Sequence, residues 1–141
     1  SNVALLSKLK MSGHNQAWGA PGINETVEHR KITLDREVFR YGIGSHANSS
    51  LRYDLPMPYD TLHAVVGLDD ESACGDGVHF IVKADNREIF RSPRVYSMGK
   101  IQLDLNLNRA TKLELILDQG DKNNMDCDHG DWANAWLEAV P

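Results

Sequence analysis

Apolar residues recur at every second position along most of this chain, and that spacing restricts the fold more than any other feature. Leu51, Tyr53 and Leu55 alternate with polar partners, as do Leu62, Ala64, Val66 and Leu68, and then Val78, Phe80, Val82 and Ala84. Ile101, Leu103, Leu105 and Leu107 follow, and after them Leu113, Leu115 and Leu117. Successive side chains of a strand point to opposite faces, so this period describes half-buried strands. No helical stripe longer than two turns competes with it; the run from Ala4 to Leu9 is the one ambiguous stretch. Asp85-Asn86, between Val82 and Ile89-Phe90, reads as a hairpin turn. About eight strands at intervals of roughly 8–15 residues, with Gly, Pro and Asn between them, predict an all-β antiparallel sandwich.

At 141 residues the chain is long enough for one domain with a real core, expected over residues 3–140. Ser1-Asn2 has the look of a protease-cleavage scar. The net charge is −5, with acids gathered at residues 69–76 and 118–131. A nucleic-acid binder needs the reverse, a basic face, so nucleic acid is not an expected partner. No apolar run approaches the roughly 20 residues of a membrane span, and no membrane partner is expected. Cys74 and Cys127 each sit in one of the acid-rich segments. Either they pair, which implies an oxidising compartment and about 3–4 kcal/mol of stabilisation, or they stay as two thiols.

Residues 10–28 and 118–131 lack strand periodicity and read as long loops, and two stretches of the chain concentrate polar chemistry. Asp126-Cys127-Asp128-His129-Gly130-Asp131-Trp132-Ala133-Asn134-Ala135-Trp136 holds three carboxylates, a histidine and two indoles, and Gly42–Ser50 is polar and glycine-spaced. A sugar offers hydroxyls for directional hydrogen bonds and a C–H face for stacking on an indole. Trp18, His46, Asn48, Asp128, His129, Asp131 and Trp132 supply those parts. Each also has a structural alternative: Trp132 can be a core plug, His46 a buried histidine pinning a strand end. Trp136, in alternation with Asn134 and before Leu137, reads as core.

Calcium is a second candidate. It takes hard oxygen ligands at short spacing, and Asp69, Asp70, Glu71 and Asp76 form one set, with Asp118, Asp121, Asp126, Asp128 and Asp131 a second. Asp69, Asp70 and Asp126 are the candidate ligands, although neither set matches EF-hand spacing. Solvated acidic loops are the plain alternative. Catalysis has little support: the chain has no His-Glu-x-x-His, no Gly-x-Ser-x-Gly and no phosphate loop.

Three ordered motifs carry a resemblance. Tyr41-Gly42-Ile43-Gly44-Ser45-His46-Ala47-Asn48-Ser49, then Val66-Gly67-Leu68-Asp69-Asp70-Glu71, then Asp128-His129-Gly130-Asp131-Trp132-Ala133-Asn134-Ala135 resemble the NPCBM family, which overlaps family 51 of the carbohydrate-binding modules. Leu5-Leu6-Ser7 and Ala17-Trp18-Gly19 are similar to that family's opening strand and Trp-Gly motif. The resemblance implies a galactose-binding-like β-sandwich of jelly-roll type, attached to other domains of a secreted or periplasmic bacterial glycan-degrading enzyme. It also implies terminal galactose-type glycans as partners and a structural calcium ion. The positions it marks for sugar contact are Trp18, His46, Asn48, Glu71 and the Asp128–Trp132 loop. Gly130 stands where the motif often has alanine, and Cys74 and Cys127 lie outside the pattern. A structural module that only docks a neighbouring domain is the rival expectation.

Overall fold

The structure, a computed structural model, describes residues 2–72, 76–120 and 125–141. In chain order its strands are β1 (Asn2–Leu5), β2 (Gly13–Gln16), β3 (Gly22–Ile23), β4 (Ile32–Leu34), β5 (Glu37–Phe39), β6 (Gly42–His46) and β7 (Ser49–Asp54). Then come β8 (Thr61–Leu68), β9 (His79–Ala84), β10 (Arg87–Arg91), β11 (Lys100–Asn106), β12 (Lys112–Asp118) and β13 (His129–Ala139). The ambiguous N-terminal run is β1 followed by one 3₁₀ turn, Leu6–Lys8, which buries Leu6.

Two antiparallel sheets face each other. One runs β11-β8-β13-β6-β3, with β1 added to the far half of β13; the other runs β10-β9-β12-β7-β2. The alternating residues read from the sequence form the inner faces. Leu62, Ala64, Val66 and Leu68 meet Leu51, Tyr53, Phe80, Val82, Leu113, Leu115 and Leu117 in one buried cluster. Asp85 and Asn86 both take positive φ (48° and 65°) at the β9–β10 turn, the twist a tight hairpin requires.

Three elements escaped the alternation rule. β2 and β3 lie at sheet edges inside a segment that reads as irregular loop. Edge strands are held by backbone pairing on one side and need no apolar face. β6 is buried at every position, so Gly42–His46, polar and glycine-spaced by composition, is an interior strand that ends on the buried His46. A Cβ on Gly44 would come within 2.6 Å of Thr26 Cα, so the chain segment covering this strand can pack only on glycine.

β13 changes phase partway. Trp132 points into the core, but so do Ala135 and Leu137, an odd step from 132 to 135. Asn134 absorbs the extra residue at φ 47°, and the register with β8 breaks between Ala133 and Trp136. Trp136 is thereby turned to the outer face, contrary to its reading as core, and stacks on His63 with ring centroids 4.1 Å apart. His63 bonds Asp104 through Nδ1 (2.6 Å) and Glu138 through Nε2 (3.0 Å). Burial lowers this imidazole's pKa, but the two carboxylates outweigh it and hold the group above the usual range.

Trp132 is fully buried against Phe80 in an edge-to-face pair (5.2 Å, 81°). Trp132→Ala should therefore cost about 3–5 kcal/mol of folding free energy, read from chemical denaturation. A loss below about 1 kcal/mol would mean the indole is not the core plug described.

Candidate functional site

His129 opens β13 and His46 closes β6, and the antiparallel register sets them directly opposite each other. Side chains at opposed positions of neighbouring strands share a face at close range, and these two rings lie 5.1 Å apart. Trp18, on the loop between β2 and β3, completes the group at 5.9 Å from His129, nearly parallel (11°), and 5.6 Å from His46. Its indole is 51% exposed. The loop is shaped by Gly19 at φ 70° and by Gln16 Nε2 donating to the Trp18 carbonyl (2.7 Å).

Behind the rings a hydrogen-bond chain sets their orientation. His129 Nδ1 lies 2.9 Å from Glu71 Oε2, and the Thr26 hydroxyl donates to Glu71 Oε1 (2.8 Å). Thr26, fully buried, also accepts the backbone N–H groups of Glu28 and Arg30. Ser72 Oγ accepts from the His129 backbone N–H. His46 Nδ1 lies 2.6 Å from the Ala47 carbonyl oxygen. Asn48 is exposed just beyond β6, where its carboxamide oxygen takes the Gln119 N–H (2.8 Å).

The structure thus brings together Trp18, His46, His129 and Glu71, with Asn48 nearby on the loop after His46. Three other candidates are corrected. Trp132 is a core residue and offers no platform. Asp128 and Asp131 are 0% and 1% exposed, so neither carboxyl reaches a ligand at the surface. Gly130 lies within β13, where a Cβ would come 2.7 Å from Leu117, so packing and not loop flexibility explains it. Thr26 and Glu28, which complete the wall, were invisible in the sequence. They sit in a stretch without periodicity, and their role depends on a fold-back over β6.

Asp69 and Asp70, two of the calcium ligands expected from sequence, are engaged by backbone amides. Asp69 accepts from the backbone N–H groups of Thr33 and Glu71, and Asp70 from those of Asp35 and Arg36. Both carboxylates cap turns. Among the described residues the ligand atoms that converge are those of Glu28, Glu71 and His129, a set that does not include Asp69, Asp70 or Asp126. Two carboxylates and an imidazole do not make the oxygen cage calcium prefers. Unsatisfied oxygens lie elsewhere: both carboxyl oxygens of Asp128 and Oδ1 of Asp76 are buried without a hydrogen-bond partner. Burial, followed by the nearby Asp76, pushes Asp128 up to about 7. Cys127 is disulfide-bonded, while Cys74 and Asp121 fall outside the described residues.

Among the described residues neither oxygen of Asp131 has an N–H or O–H donor, and its neighbour is the Asp69 carboxylate. Two carboxyls can bond only through a retained proton. Burial first, then that pairing, hold Asp131 well above the ordinary carboxylate range. The folded chain therefore keeps a proton that the unfolded chain releases near pH 4. Linkage makes stability fall, by up to about 1.4 kcal/mol per pH unit, as pH rises from there toward the raised value. Asp131→Asn should flatten this decline, so that melting temperature changes less between pH 5 and pH 8 than in the parent. An unchanged slope would show that Asp131 ionises freely in the fold.

A Clostridium perfringens CBM51 module from a GH95 protein, solved in complex with methyl-galactose, superposes with a TM-score of 0.88 at 26% identity, covering 96% of this chain and 99% of that one. The CBM51-2 and INT domains of C. perfringens ZmpB, in complex with GlcNAc, give 0.89 at 26% identity, over 98% of this chain and 32% of the other. Among curated proteins, a Renibacterium salmoninarum protein named "Putative endo-alpha-N-acetylgalactosaminidase" is 32% identical over 105 residues, 74% of this chain. The chain spans only 7% of that relative's length. The profile of the NPCBM/NEW2 domain matches residues 2–138, and the chain belongs to that family.

Proposed function

We propose that this domain is a non-catalytic carbohydrate-binding module that holds a terminal galactose- or N-acetylgalactosamine-type sugar against Trp18, His46 and His129. The carrying observation is a half-exposed indole ringed by two imidazoles oriented from behind, at one end of a rigid sandwich. The indole supplies a flat apolar face with little entropy to lose, and the imidazoles supply directional hydrogen bonds. Supporting this choice of sugar are the methyl-galactose complex of one structural neighbour and the N-acetylgalactosaminidase name of the Renibacterium relative.

Catalysis lacks its instruments. The carboxyls with raised pKa, Asp128 and Asp131, are sealed from the surface and cannot protonate a glycosidic oxygen. A single small sugar on one indole makes few contacts, so affinity should be weak, about 10 μM to 1 mM, or roughly −4 to −7 kcal/mol. Such a module works by raising effective concentration, which fits an accessory role in a larger secreted or periplasmic enzyme of bacterial origin acting on glycans. No helix among the described residues is long and apolar enough to cross a membrane.

A calcium ion fits the buried oxygens of Asp76 and Asp128 better than the acids capping the turns. Bound there, it would offset the repulsion that Asp76 and Asp126 exert on the buried Asp128 and that Arg94 opposes only in part.

On a glycan array, the domain should bind galactose- and N-acetylgalactosamine-terminated glycans. Trp18→Ala and His46→Ala should each weaken binding about five- to thirtyfold, as expected from losing one to two kcal/mol; the exposed indole should leave with little change in melting temperature. A blank array from folded protein, or full binding by Trp18→Ala, would sink this assignment. Chelator should lower the melting temperature by on the order of 10 °C if calcium is present at a hundredfold excess over Kd. Asp128→Asn should abolish that response, and a parent melting curve unmoved by chelator would remove calcium from the account.

A further inference from the structure

We infer that His46 and His129 each carry their proton on Nδ1 and turn a bare Nε2 to the ligand, so that the site accepts a sugar through two adjacent hydroxyls that both donate. The inference rests on the carbohydrate reading and specifies its chemistry. His46 Nδ1 faces a backbone carbonyl at 2.6 Å, a group able only to accept, so the proton between them belongs to the ring. His129 Nδ1 faces Glu71 Oε2 at 2.9 Å, and the other oxygen of that carboxylate already accepts from Thr26. A neutral imidazole has one proton, so in both rings Nε2 is left as an acceptor.

Those two nitrogens are also the open ones. Among the described residues neither bonds to a protein group, and neither is among the buried polar atoms that lack a partner, so both stay open to a ligand although His46 is only 8% exposed. They lie on paired strands, with the Trp18 ring packed against both imidazoles. A ligand seated on Trp18 thus meets two acceptors side by side, and neighbouring hydroxyls of one sugar ring are the matching pair of donors. Groups that accept without donating, such as an ether oxygen or fluorine, would set lone pair against lone pair. Glu71 and the Ala47 carbonyl act here as positioning groups, because they choose the tautomer without touching the sugar.

The test has two arms. Long-range proton–nitrogen correlation on nitrogen-15-labelled domain at pH 7.5 should show pyrrole-like Nδ1 and pyridine-like Nε2 for both histidines. Either ring found with its proton on Nε2, or doubly protonated, overturns the inference and leaves the carbohydrate reading intact. Calorimetry would then compare methyl galactoside and methyl N-acetylgalactosaminide with analogues in which one hydroxyl at a time is replaced by fluorine. We expect about tenfold or greater loss at two adjacent positions and near-parent affinity elsewhere. Equal affinity across the fluorinated series overturns the two-donor assignment, whereas failure of both parent sugars to bind overturns the carbohydrate reading itself.

Discussion

The pairing of β13 with β6 is the constraint on which the site depends. It sets His129 opposite His46, puts Gly130 over Leu117 and Phe80, and carries Trp132 into the core two residues later. Because a strand's side chains alternate, slipping this register by one residue would bury the histidine and expose the indole. The buried Trp132 therefore anchors what the exposed Trp18 and the imidazoles do. The same strand needs its Asn134 bulge to keep Ala135 and Leu137 inside after the site's register has been satisfied.

A second layer of control comes from the segment running from Asn24 to Leu34, which folds over the outer face of the sheet. Its hold is mainly polar. Asp69 takes the Thr33 N–H, Asp70 caps the β4–β5 turn, and Thr26 bonds Glu71. Ile32 and Leu34 add a small apolar patch with Ala133. Glu71 thus orients His129 because this covering segment is in place. The acids here act as clamps for backbone amides and not as hands for hydroxyls. Hydrogen bonds to charged acceptors contribute more than neutral ones, about 1.5–3 kcal/mol each, and suit a segment too short to bury much apolar surface.

This division explains what could be read from the chain. Leu62–Leu68, Ile101–Leu107 and Leu113–Leu117 were legible as strands because one face is buried and the other is not. Gly42–His46 was illegible because it is covered on both faces and carries no alternation. Trp18 and Trp132 have equal claims to stacking by type; only placement on a loop or in a strand separates them. The family motifs led to His46, His129 and Glu71, whereas Thr26 and Glu28 are recruited from far along the chain and had no local signal. Density of acids was misleading at Asp128 and Asp131, where burial turns a sugar-binding residue type into one that holds on to its proton.

The balance between exposed and buried polar groups also accounts for the kind of recognition available. Trp18 is the large aromatic surface at the site, so apolar contact alone confers little selectivity: every pyranose has a C–H face. Discrimination must come from the imidazoles, and an imidazole can accept or donate at Nε2 depending on its tautomer. Left free, it would do either and distinguish poorly. Fixing Nδ1 against a carbonyl in one ring and a carboxylate in the other removes that ambiguity before a ligand arrives. Preorganisation of this sort lowers the ordering cost of binding and makes a wrong hydroxyl pattern expensive. A weak module can in this way remain a selective one.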